Sequence, residues 1–208
     1  MSERFDFSKR KIRGWKRKVK EIETWKNYYI QLDLAVLEKN HREYVKTWIH
    51  PFYSLRRYSI PFWYKRLIIE ALLEIYDSWQ QTMETYKTPY YLKVWLFEKD
   101  FIRSQIVVSF KEMYHSYDET FEELKNRQTL PETLFVEKAA EFSWEEGIRA
   151  DVWYGSELLE DVASGLYSEA EVESIKQSAY RIEQRKDDRL YLVNGDTVWV
   201  GTKKWKKK

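Results

Sequence analysis

A chain of 208 residues and 25.6 kDa is sized for one domain, or one domain with a small appendage, and its 43% hydrophobic and 17% aromatic residues exclude a disordered chain. The absence of cysteine excludes disulfide scaffolds, cysteine-ligated zinc, iron–sulfur clusters and thiol catalysis. The net charge of +2 hides an asymmetry: residues 1–20 carry nine basic and two acidic side chains and residues 203–208 add five lysines, so of 36 basic and 34 acidic groups the body keeps 22 and 32, a charge of −10.

No apolar core of a signal peptide is visible in the first twenty residues. No apolar run approaches the roughly 20 residues of a membrane span. A cytoplasmic protein that does not enter the membrane is the expectation. Over residues 9–25, Ile12, Trp15, Val19, Ile22 and Trp25 recur at helical spacing among lysines and arginines. They predict a basic amphipathic helix starting near Arg13 or Gly14, weakened by about 1 kcal/mol at the glycine. Its narrow, Trp-ended stripe suits docking on a core better than lying on a membrane. Tyr28–Leu34 alternates and is aromatic, which predicts a strand. Residues 35–49 fit a helical stripe of Leu37, His41, Tyr44 and Trp48, or a loop at Asn40-His41. His50-Pro51 ends that stretch.

The strongest helical pattern covers residues 60–87. Ser59 offers a cap and Pro61 a first-turn residue. Tyr64, Ile68, Leu72, Ile75, Trp79 and Met83 make one stripe, and Ile69, Leu73 and Tyr76 widen it to the face of a helix lying across a sheet. Two strands follow, residues 90–98 and 104–113, joined by a hairpin loop at 99–103. A third covers residues 147–154. Their even positions, among them Leu92, Val94, Ile106, Val108, Ile148 and Val152, face the long helix. Thr129 with Glu132 reads as a capping box opening a helix to about Phe142. Ser156 caps a short helix ended by Gly165, and Ser168 with Glu171 opens another with the stripe Val172, Ile175, Ala179 and Ile182. A closing hairpin joins residues 189–193 to 197–201 through Asn194-Gly195-Asp196, as a two-residue Asn-Gly turn or a three-residue loop.

The chemistry of familiar sites is sparse. No phosphate loop, dinucleotide fingerprint, nucleophile elbow or zinc-binding His-Glu-x-x-His occurs. His41, His50 and His115 are not spaced as metal ligands, so neither a metal nor a cofactor is expected. His115, with Glu112 and Asp118 nearby, is a candidate general base; its plainer reading is a histidine bonded at a strand end. The odd strand positions carry Lys93, Trp95, Arg149 and Trp153, an aromatic and charged face that can hold a partner protein or stack bases. That face is equally a place for the C-terminal helix and hairpin to pack. Lys9, Arg10, Lys11, Arg13, Lys16 and Arg17 are candidates for gripping nucleic-acid phosphates, or simply a solvated terminus.

The stretch Lys9-Arg10-Lys11-Ile12-Arg13-Gly14-Trp15-Lys16-Arg17, ahead of an aromatic segment at Tyr28, resembles the start of a functionally uncharacterised bacterial family of the Bacillus type. The resemblance spans about residues 1–110 and implies a bacterial origin, with no activity and no site residues to carry over. Taken together, the sequence predicts an α+β fold: a mixed, largely antiparallel sheet with the long helix on one face. Residues 1–155 form the core with its basic N-terminal helix. Residues 156–208 form a helix–hairpin subdomain packed on it. The expected function is a non-enzymatic protein-interaction module with an acidic body, which neutralises a basic partner or self-associates. The alternatives are a nucleic-acid-associated protein using its basic ends, and an enzyme using His115.

Overall fold

The computed structural model describes residues 14–39, 44–47, 49, 60–98, 101–110, 119–127, 130–154, 162–178, 181–184 and 189–203; within these, the side chains at 15, 37–39, 119–127, 149–154, 175–178, 181–184 and 189–196 are left out. The first helix, α1, is Trp15–Tyr29. It starts where Gly14 adopts φ +144°, a conformation few other residues tolerate. The glycine therefore stands at the cap and does not weaken the interior. Ile22 and Trp25 are buried, as their spacing predicts. The strand predicted over Tyr28–Leu34 does not form. Tyr29 lies one helical turn beyond Trp25, with the two rings 5.9 Å apart, and this contact along a helix outweighs the local alternation. A short helix, α2 (Leu34–Lys39), and a three-residue strand, β1 (Tyr44–Lys46), divide the ambiguous stretch.

The long helix α3 is Phe62–Glu84, shorter at each end than predicted. Pro61 is its extended cap residue rather than part of the first turn, and its carbonyl accepts the Tyr64 and Lys65 N–H groups. Ser59 lies outside the described residues. All nine residues of the predicted stripe and its flank are buried. Tethers to α1 are spread along the helix. The Tyr64 hydroxyl donates to the Lys18 carbonyl at 3.2 Å, Lys26 pairs with Glu74 at 2.8 Å, and Ser78 Oγ donates to the Ile30 carbonyl at 2.7 Å. Both partners' numbers rise together, so α1 and α3 run parallel, with their amino ends side by side. A second flank is made by residues 130–141: Arg66 donates to the Glu132 carbonyl at 2.9 Å and Lys138 pairs with Asp77 at 2.8 Å.

Beneath α3 lies the sheet, built from β1, β2 (Tyr91–Phe97), β3 (Gln105–Ser109), β4 (Glu119–Arg127), β5 (Phe142–Tyr154), β6 (Arg181–Gln184) and β7 (Arg189–Lys203). Its order is β1-β3-β2-β7-β5-β4, with β6 paired to β7. Every ladder among the described residues is antiparallel, so the fold is α+β with the largely antiparallel sheet expected. Leu92, Val94, Leu96, Ile106 and Val108 join α3 in one core, which confirms the inner face of β2 and β3. Ile148, assigned to the same inner face, is 41% exposed, beside a register shift in the β5–β7 ladder.

Three further expectations change. The helix predicted from Thr129 to Phe142 is instead a turn at 132–134 and a 3-10 helix, Glu137–Glu141. Leu134 and Val136 are both buried two residues apart, a period that an extended chain satisfies and a helix does not. The closing hairpin is β6 against β7, and β7 is one strand running through Asn194-Gly195-Asp196. Ile148 pairs with Thr197 and Ala150 with Val193, so 194–196 lie opposite Arg149 alone and form a bulge instead of a turn. The C-terminal segment thereby supplies an interior strand, between β2 and β5, of the same sheet as the body.

The last helix, α4, is Glu169–Ser178; it ends before Ile182, which belongs to β6. Its start is the predicted capping box. The Ser168 N–H and hydroxyl donate to Glu171 Oε2 at 2.9 and 2.8 Å, and the Glu171 N–H donates to Ser168 Oγ at 3.2 Å. The backbone and then the side-chain hydrogen bond from Ser168 hold the Glu171 carboxyl below its ordinary value of 4.5. A carboxyl lowered in the folded state stabilises above its unfolded value, and that contribution is lost as pH falls through the lowered one. Acidification is therefore expected to loosen the first turn of α4. In Glu171→Gln, which keeps an acceptor and loses the charge, the protection of the Ser168, Glu171 and Val172 amides, taken relative to their intrinsic exchange rates, should no longer change with pH. Equal pH dependence in both proteins would refute the assignment.

Candidate interaction surface

Two faces of the sheet meet different surroundings. On the face away from α3, Trp95, Phe97, Val107, Val198 and Val200 form a second apolar cluster with Tyr44 packed against it. Trp95 is fully buried there, in a row between Gln105 of β3 and Val200 of β7. The parity argument thus holds for Trp95, and of the two readings left open for this face the covered one applies there: the indole of this binding candidate is core. Lys93 is half-buried opposite Val107. Arg149 lies on β5 opposite Phe121 and the bulge of β7, and Trp153 lies opposite Leu190; their side chains are outside the description.

The six basic candidates divide. Lys16 and Arg17 stand exposed on the first turn of α1. Lys9, Arg10, Lys11 and Arg13 lie outside the described residues, as does His115. The C-terminal lysines begin with Lys203, which pairs with Glu141 and with Asp77 at 3.2 Å and sits over the Phe142 ring. Burial pulls its pKa down, yet the hydrogen bonds to Glu141 and Asp77 raise it further, so the net shift is upward. Lys203 is a clasp holding the end of β7 to α3. The clasp includes Tyr76, whose hydroxyl donates to the Leu92 carbonyl and accepts the Lys203 N–H, each at 3.2 Å. Burial raises the Tyr76 pKa and also that of Tyr64. Burial lowers that of Lys65, which reaches over the Phe101 ring.

The exposed apolar residues point elsewhere. Phe62, in the first turn of α3, is 59% exposed, and Phe135 is 39% exposed. Phe62 is one turn before Arg66, whose guanidinium holds the Glu132 carbonyl; that anchors the 132–135 turn to this end of α3. Leu134 and Val136 are buried on either side of Phe135, which fixes its ring outward. Exposed Glu132 and Glu137 flank it. Sequence reasoning passed over both phenylalanines. Phe62 does fall off the stripe that starts at Tyr64, a signal for the outer side of α3, whereas Phe135 sat within a segment read as helix.

Among the described residues no group of three or more His, Asp or Glu is placed to hold a metal ion, and no helix is long and apolar enough to cross a membrane. Comparison of the chain with protein-family models, with curated proteins and with solved structures finds no match.

Proposed function

We propose that the protein is a non-enzymatic interaction module that docks a basic protein partner around the amino end of α3. The observation that supports this reading is two exposed rings, Phe62 in the first turn of α3 and Phe135 in the segment that the Arg66–Glu132 hydrogen bond ties to that helix. Aromatic side chains supply much of the binding energy at protein interfaces, ringed by polar groups that exclude water. Glu132 and Glu137 form such a rim, and the body charge of −10 steers a cationic partner toward it. Their anchoring matters too, because a surface already fixed by Leu134, Val136 and Arg66 loses little entropy on binding.

A photo-crosslinking side chain at position 62 or 135 of the full chain, expressed in its native cell, should capture one discrete basic protein. The double reversal Glu132→Lys, Glu137→Lys should cut that yield roughly tenfold through the rim electrostatics, and Phe62→Ala with Phe135→Ala should abolish it. Melting temperatures should hold in both variants, since all four side chains are exposed. Absence of a crosslink, capture of a second copy alone, or a yield indifferent to these changes would overturn the proposal.

A further inference from the structure

We infer that the outer face of α1 is a separate docking site for the phosphate backbone of nucleic acid. The helix spends its apolar stripe on α3: Ile22 and Trp25 are each 3% exposed. The opposite side of its first turns presents Lys16, Arg17 and Lys20, all exposed. No acidic residue occurs in the first turn, and the nearest, Glu21, pairs with Arg17 at 3.4 Å in an open geometry that salt weakens. Glu23 is turned to Lys26 at 3.0 Å, which also holds Glu74 on α3. The acidic groups of α1 are therefore engaged along its own surface, and its leading turns keep an excess of positive charge.

The occupant follows from which face is free. A helix that binds a membrane surface inserts an apolar face while its cations meet the headgroups. Here Ile22 and Trp25 of that face are buried against α3, Val19 and Tyr28 stay exposed, and the side opposite the buried pair is cationic. Lys16 and Lys20 lie about 6 Å apart along the axis on one side of the helix. Duplex nucleic acid carries one negative charge per roughly 1.7 Å of its axis, so a short cationic row of this kind finds phosphates in any register. Such contacts hold the backbone without reading sequence, and this cationic face differs in chemistry from the Phe62–Phe135 surface at the neighbouring amino end of α3.

The test uses the full chain and a short fluorescent DNA duplex of arbitrary sequence, with anisotropy followed over a salt series. Wild type should bind with an affinity that falls steeply with salt. The triple variant Lys16→Ala, Arg17→Ala, Lys20→Ala should bind more weakly at low salt and lose about 3 from the slope of log affinity against log salt, about one for each phosphate contact removed. Lys16→Arg with Lys20→Arg should bind as wild type. So should the Phe62→Ala, Phe135→Ala variant, which separates this site from the protein-docking surface. Circular dichroism should be the same for all of them. The inference is overturned if the triple variant keeps the wild-type slope, if duplex binding is insensitive to salt, or if phosphatidylserine vesicles bind the chain and the duplex does not.

Discussion

Trp95→Ala is expected to destabilise the fold by about 3–5 kcal/mol, the usual cost of deleting a large buried aromatic. In a chain of this size that is a fall in melting temperature of roughly 6–20 °C. The effect arises because the indole, fully buried, fills the cluster with Phe97, Val107, Val198 and Val200. Three strands converge there: Trp95 lies between Gln105 of β3 and Val200 of β7. Truncation thus loosens the junction through which the C-terminal strand enters the sheet. Denaturant unfolding is the measurement, with the slope compared to confirm that the folded state is otherwise intact. A cost below about 1 kcal/mol is what an exposed position gives, and it would restore Trp95 to the role of a surface residue. Phe62→Ala offers the contrast, since that ring is 59% exposed and its loss should leave stability almost unchanged.

The contrast between Trp95 and Phe62 indicates how far the sequence could be read. Period-2 alternation in β2 and β3 assigned their residues to the correct faces, because each strand is buried on both sides and every position feels a defined neighbour. It could not say whether the second face was covered, since burial of Trp95 depends on Val198 and Val200, about a hundred residues away in the chain. Long-range pairing explains two other misses as well. Residues Glu119–Arg127, rich in glutamate, lysine, asparagine and arginine, have little strand preference of their own; β4 exists through its ladder with β5. Asn194-Gly195-Asp196 has the composition of a turn, but thirteen residues of β5 hold both halves of β7 and absorb it as a bulge. Local signals divided: the α3 stripe and the Ser168–Glu171 box held, whereas the alternation at Tyr28–Leu34 and the Thr129–Glu132 box did not. The Phe62–Phe135 surface required the Arg66–Glu132 contact, which joins segments 66 residues apart and leaves no local mark.

Gly201→Ala provides a sharper test of the packing between α3 and the sheet. Gly201 lies between Val94 of β2 and Trp144 of β5 in one row across the sheet. Its missing side chain is filled by the Trp144 ring: a Cβ there would overlap Cζ3 and stand 2.7 Å from both Cε3 and Cη2. The ring has nowhere to move. Trp144 is 1% exposed, its Nε1–H donates to the Ala139 carbonyl at 2.9 Å, and it lies beside Phe142 with centroids 5.6 Å apart. Alanine in place of glycine restricts the unfolded chain and on that account alone stabilises by about 0.4–1 kcal/mol. Overpacking a closed core costs about 1–3 kcal/mol, so the clash is the larger effect and the variant should be less stable. Trp144→Leu removes the obstructing ring at a cavity cost of its own. In that background the three ring atoms nearest the added methyl are gone, and Gly201→Ala should become neutral or stabilising, giving a coupling above about 0.5 kcal/mol in a double-mutant cycle. If Gly201→Ala costs the same with and without the Trp144 ring, the close approach between β5 and β7 is not what selects glycine at this position.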